Sequence, residues 1–187
     1  MFCHRLRRRA ELQMLEPRHA EELFAVVDRN RERLREWMPW VDGTKSADDT
    51  LKFIRDSLKR HAETGEVVAG IWWGGKLAGT IGLHIRGEAR ATIGYWLGEE
   101  FEGKGLMTLA CRAMLSHAFR DLKVERVEIF AEPRNARSRA VPKRLGFKRE
   151  GTLRHVTKLN DRFVDHVAYS LLREEWQARG KLPLAAR

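Results

Sequence analysis

Gly103-Lys104-Gly105 is the stretch of this chain best able to do chemistry with its backbone. Glycines permit positive φ and let a ligand approach the main chain closely. An apolar pattern at helical spacing follows, at Leu106, Leu109, Ala110, Ala113, Met114 and Ala118. The first amides of a helix have no partner inside it, carry partial positive charge and point out of its start. A glycine turn feeding a helix is therefore a main-chain seat for a pyrophosphate, and Lys104 adds a cation. An ordinary helix start after a glycine turn looks the same, so the surrounding residues must decide. Two familiar phosphate loops are excluded. A Walker loop needs Ser or Thr after its lysine, where this chain has Gly105; a G-x-G-x-x-G dinucleotide loop needs glycine where it has Thr108.

The elements that position this loop can be read from periodicity. Ala91, Ile93, Tyr95 and Leu97 alternate with Thr92, Gly94 and Trp96, a strand that feeds the polar loop Gly98 to Glu102. Earlier, Arg9 to Leu15 alternates and reads as the first strand, and Pro17 opens a helical pattern through Ala20, Leu23, Phe24, Val27, Leu34 and Trp37. Pro39 breaks the aromatic segment Leu34 to Val41, whose Trp37 and Trp40 read first as a helix end packed on the core. Ser46 with Asp49 three residues on predicts a capped helix ending near Gly65. Glu66–Trp73 and Lys76–Ile85 form a hairpin about Gly74-Gly75, and Arg86-Gly87-Glu88 turns into the strand at Ala91. Val124 to Ala131 is a further strand, reached through a helical crossover and hence parallel to Ala91–Leu97. Asn135 is a good N-cap, Ser138 a first-turn hydroxyl, and Gly146 closes that short helix. Gly151–Leu159 and Phe163–Leu172 make a last hairpin across Asn160-Asp161, before a short helix over Arg173–Gln177.

A length of 187 residues predicts a single domain, 1–187, with 1–8 a flexible lead-in and 178–187 a tail. No apolar run approaches the ~20 residues of a membrane span, and the basic N-terminus lacks a signal-peptide core. Cys3 and Cys111 make no disulfide framework, which places the chain in a reducing cytoplasm; Cys111 reads as a small core residue. The net charge of +10 is spread along the chain and mixed with acids. Direct nucleic-acid binding is therefore not expected, although a partner rich in RNA would suit the charge.

The motif Ile93-Gly94-Tyr95-Trp96-Leu97 before the loop, and Gly103-Lys104-Gly105-Leu106-Met107-Thr108 after it, resemble the GCN5-related N-acetyltransferase (GNAT) family. The subgroup resembled is the RimJ/RimL type, which acetylates ribosomal-protein N-termini. The family's acetyl-CoA loop, Gln/Arg-x-x-Gly-x-Gly/Ala, falls here on Glu102 to Met107; Gly105 matches, while Glu102 and Met107 depart at the first and last positions. The resemblance covers roughly residues 9 to 176 and implies a GNAT fold, α/β (α+β). Its central mixed sheet would have about seven strands, its parallel pair splaying apart around acetyl-CoA. It also implies a homodimer, with no metal.

Roles follow from the resemblance. Leu97, Gly103, Lys104, Gly105, Leu106, Met107, Thr108 and Asn135 would bind acetyl-CoA. Many relatives place a tyrosine acid where this chain has Pro142; RimL-type members use a serine instead, which falls on Ser138. Pro142 also removes the amide that would bond the carbonyl of Ser138. Glu66 falls near the glutamate base given to RimL-type enzymes, with His84 its rival; a carboxylate carried by many relatives is absent at Thr92. Trp37, Trp40 and His84 are candidate acceptor-site residues. The expected reaction is direct transfer of acetyl to a protein N-terminal amine. Three alternatives stand beside it: transfer to a polyamine or aminoglycoside, drawn by Asp42, Asp48 and Asp49; a CoA-binding protein without turnover; and a basic RNA-associated module.

Overall fold

The computed structural model of the chain describes residues 3–180. Eight strands form a single sheet in the order β1-β2-β3-β4-β5-β6-β8-β7. They are β1 (Cys3–Arg7), β2 (Ala10–Met14), β3 (Val67–Trp73), β4 (Lys76–Arg86), β5 (Arg90–Leu97), β6 (Arg126–Ala131), β7 (Lys148–Leu159) and β8 (Arg162–Leu172). The helices are α1 (Ala20–Arg29), α2 (Arg31–Arg35), α3 (Ala47–Thr64), α4 (Leu106–Arg120), α5 (Ala136–Leu145) and α6 (Arg173–Gly180). Two details extend the expectation. The lead-in over 1–8 contains β1, paired antiparallel with β2, which raises the strand number from about seven to eight. Alternation does not signal β1 because its run, CHRLR, is exposed at every position but Leu6. The final helix runs three residues further than expected, through Gly180; the rest of the expected tail, 181–187, lies outside the described residues.

Each sheet face carries its own core. Ala91 and Ile93 of β5 join Ile81, Leu83, Val127, Ile129 and Tyr169 under α4. Trp96, Val68, Trp72 and Leu77 point the other way, onto α1 and α3. The strand period of two thus sorts one motif, I-G-Y-W-L, onto two surfaces. α3 is held at its start by the predicted box, Ser46 accepting from the Asp49 amide and Asp49 from the Ser46 amide, and at its end by Gly65 at φ 76°.

The feature that makes a site is the junction of β5 with β6. It is the parallel pair of the sheet, and its register holds for Arg90↔Arg126, Ala91↔Val127 and Thr92↔Glu128 only. Both strands continue, to Leu97 and to Ala131, without pairing to each other. β5 stays on β4 through Leu97↔Gly79, and β6 stays on β8 through Ala131↔Val167. A wedge therefore opens in the middle of the sheet with its vertex at Thr92 and Glu128. Among the described residues, no helix is long and apolar enough to cross a membrane.

Candidate active site

Gly103 and Gly105 both adopt φ 71°, and a Cβ at either would meet open space. The left-handed turn costs an ordinary residue about 1–2 kcal/mol, so glycine both permits the turn and leaves its outer face bare. Gly105 is the N-cap of α4. Leu106 and Met107 are buried in the core, so what they offer a phosphate is amides rather than side chains. Thr108 accepts a hydrogen bond on its hydroxyl from Arg144 Nε at 3.2 Å. Lys104 is exposed and its ammonium bonds the Glu100 carbonyl. The Lys104 carbonyl accepts from Arg7 at 2.6 Å, and the Arg7 guanidinium lies 4.6 Å from the Trp73 ring centroid. β1 thus carries a cation onto the loop from almost a hundred residues away. Glu102, the acid in an unusual place, sits between Arg33 and Arg137, the latter at 2.7 Å. Two guanidiniums offset its charge beside Lys104.

The α4 face of the wedge is built by α5. Asn135 caps this helix, its Oδ1 accepting from the Ser138 amide at 2.9 Å. Pro142 lies inside it, so the Ser138 carbonyl has no helical amide to receive. The Tyr95 hydroxyl takes that place, donating to the carbonyl at 2.9 Å. The Ser138 hydroxyl reaches the same phenol oxygen at 3.4 Å, a long contact that leaves it free to turn. Burial, then nearby Cys111, pushes the Tyr95 phenol above its ordinary value, so it stays a protonated donor. Cys111 is fully buried and burial raises its thiol too, which makes it the core residue its neighbours imply. At the outer end of β5, the Leu97 carbonyl accepts from Arg33.

The other face of the wedge carries a polar row. Register sets His84 beside Thr92, Thr92 beside Glu128, and Glu128 beside Ser170. Glu66 precedes β3 opposite His84 and is buried; its carboxylate meets His84 Nδ1 at 3.2 Å and Arg60 Nε at 3.3 Å. Arg126 spans Glu128 at 2.8 Å and Glu150. Past the wedge, Glu132 is buried between Arg134 at 2.7 Å and Arg162 at 3.3 Å. Trp40 stands over this side, its ring 6.0 Å from that of Trp96, while Trp37 is half-buried in the turn after α2. The structure thus brings Ser138 and Asn135 to one side of β5, and Glu66 and His84 together on the other.

Tyr95, Arg7, Arg33 and Arg144 escaped the sequence reading. Pro142 was the available signal for Tyr95, because a helix carbonyl it orphans must find another donor. The arginines had no signal, since each reaches the loop from a different element. Among the described residues no group of three or more His, Cys, Asp or Glu could hold a metal ion.

Comparison with known proteins gives the chain its relatives. The Acetyltransferase (GNAT) domain family matches residues 9–148. The chain is 38% identical over 180 residues, 95% of its length and 98% of the relative's, to YdaF of Bacillus subtilis (strain 168), provisionally named a ribosomal N-acetyltransferase. It is 27% identical over 162 residues, 86% of this chain and 90% of the relative, to the ribosomal-protein-serine acetyltransferase of Escherichia coli (strain K12). Among solved structures, the microcin C7 self-immunity acetyltransferase MccE, in complex with acetyl-CoA and AMP, superposes with a TM-score of 0.83. It shares 28% identity over 89% of this chain and 94% of its own.

Proposed function

The chain belongs to the GNAT family of acetyltransferases, and on that premise we propose that it acetylates the N-terminal amine of a ribosomal protein. It is an N-acetyltransferase with acetyl-CoA as co-substrate. The observation that carries the site assignment is the open wedge between β5 and β6, entered beside the Gly103–Gly105 turn and flanked by Ser138. Amides from Gly103 to Thr108 hold the pyrophosphate, with Lys104 beside them. The pantetheine arm enters the wedge between Leu97 and Asn135. Backbone amides near Leu97 polarise the thioester carbonyl, an oxyanion role. The Ser138 hydroxyl turns from Tyr95 to hydrogen-bond the departing sulfur and pass it a proton.

The acceptor must be a neutral amine when it attacks. A protein N-terminus has a pKa of about 8, against about 10.4 for lysine, so it needs the smaller correction. A polyamine would want uncompensated acids. Here Glu66, Glu128 and Glu132 on the acceptor side each hold at least one arginine partner, which favours a peptide N-terminus. Trp40 is the pocket wall for its first residues, with Trp37 behind. The reading places the protein in the cytoplasm beside ribosomes. It includes a homodimer, supported by the uncovered edge strand β7 and by exposed Leu153, Val156 and Phe163 on its hairpin. Sedimentation at the mass of a single chain would remove that part.

The test is turnover of acetyl-CoA with peptides copying ribosomal-protein N-termini, alongside spermidine. Expected is a kcat/KM for the best peptide about 100-fold above that for spermidine, the scale of discrimination a well-fitted site reaches. The reverse order would replace the acceptor, and no turnover with either would sink the proposal.

A further inference from the structure

We infer that His84 is the general base of this acetyl transfer and that Glu66 is the residue that positions it. The inference rests on the acetyltransferase reading above. Glu66 fell near an expected base position, but its carboxylate is enclosed at the foot of β3, with Arg60 at 3.3 Å and Arg86 at 3.9 Å. It faces His84, not the wedge. His84 keeps 30% of its side chain exposed, and the Glu66 carboxylate engages Nδ1. A carboxylate on Nδ1 favours the tautomer that carries its proton there, leaving Nε2 with a free lone pair.

Where Nε2 sits is shown by two glycines. A Cβ on Gly82 would stand 2.6 Å from His84 Nε2, so the far end of the ring lies over Gly82 and a side chain there would have to push it aside. Gly82 pairs with Gly94 on β5, and a Cβ on Gly94 would meet nothing within 4 Å. The imidazole therefore overlooks a bare floor that ends at the wedge. Neighbouring strands lie about 4.8 Å apart, so one water bridges Nε2 and an amine above Gly94. The charged and titratable groups facing His84 are Glu66 just before β3, Arg60 from α3, Arg86 on β4, Arg90 on β5 and, beyond Thr92, Glu128 on β6. The carboxylate missing at Thr92 is thus replaced by an imidazole one strand away.

The acceptor ammonium gives a proton through the water to Nε2, and its freed lone pair forms the N–C bond. The C–S bond breaks, sulfur leaving with the electron pair and receiving a proton by way of Ser138. The nitrogen loses its second proton to water; of the two protons taken from nitrogen, one replaces the proton Ser138 gave to sulfur and the other leaves His84 for solvent, so one proton is released for each amide formed and both side chains return to their starting forms.

The test compares wild type, His84→Gln and Glu66→Gln, each first titrated with acetyl-CoA to show a folded donor site. Expected for His84→Gln is a kcat lower by roughly 100-fold or more with the acetyl-CoA affinity kept, and a flattened acidic limb of the pH–rate profile. Glu66→Gln should lower kcat by about 10-fold while retaining that limb in displaced form. Imidazole should restore activity to His84→Gly. A His84→Gln enzyme within about threefold of wild-type kcat overturns the inference while leaving the acetyltransferase reading standing; a wild type without turnover overturns that reading instead. Imidazole nitrogen chemical shifts of the wild type give a test free of any variant: an Nε2-protonated tautomer overturns the inference.

Discussion

Tyr95→Phe removes one oxygen, and the structure sets its cost. That oxygen's proton is the substitute for the amide that Pro142 withholds from the Ser138 carbonyl. A proline inside a helix costs of order 3 kcal/mol when nothing compensates, and an orphaned polar group costs about 1–3 kcal/mol. Tyr95→Phe should therefore destabilise by about 2 kcal/mol, with unchanged core packing since the ring remains. In Pro142→Ala, residue 142 regains an amide, which can bond the Ser138 carbonyl itself. The same Tyr95→Phe change made there should cost under about 1 kcal/mol. The coupling of about 1 kcal/mol, with the double variant less destabilised than the sum of the two single costs, is measurable by urea denaturation of the four proteins with common slopes. Equal costs of Tyr95→Phe in both backgrounds would refute the reasoning, because the carbonyl would then not be what the phenol satisfies. Turnover offers a second readout: Ser138 loses both of its contacts with the phenol, and kcat should fall by about 10-fold even where stability is restored by Pro142→Ala.

Gly105→Trp places a side chain over the bare face of the loop at φ 71°; calorimetry should show acetyl-CoA affinity lowered at least ~100-fold, with the fold kept at a cost of about 1–2 kcal/mol. Ser138→Ala should lower kcat by roughly 100-fold with little change in acetyl-CoA affinity, and an unchanged kcat would remove Ser138 from the reaction. Glu150 is held at about 2 by Arg126 and then Ser170, below its ordinary value. A depressed carboxylate contributes stability that is present above the unfolded value, near 4.3, and lost as pH falls towards about 2. Its side chain is 41% exposed, so screening cuts the contribution to under about 1 kcal/mol. Glu150→Gln should therefore unfold slightly more easily at pH 7 and equally at pH 2, as followed by thermal melts across that range.

Local order was legible in the residues. Glycines at 103 and 105 announced a turn that only positive φ allows, Ser46 and Asp49 announced a capped helix, and I-G-Y-W-L announced a two-faced strand. Each depends on contacts within a few residues, which spacing records directly. The glycine turn ahead of α4 is legible this way, and so is the Ser138 carbonyl that Pro142 orphans. What spacing could not hold was the meeting of distant elements. β1 gave no alternation, yet its Arg7 lands on Lys104. Glu102 looked like a flaw in the loop until Arg33 and Arg137 closed on it. Glu66 and His84 stood as rivals in the chain, eighteen positions apart, and became partners once β3 and β4 paired. Sheet register joins residues by strand order rather than by sequence distance, so the polar row across the wedge exists only in the folded chain.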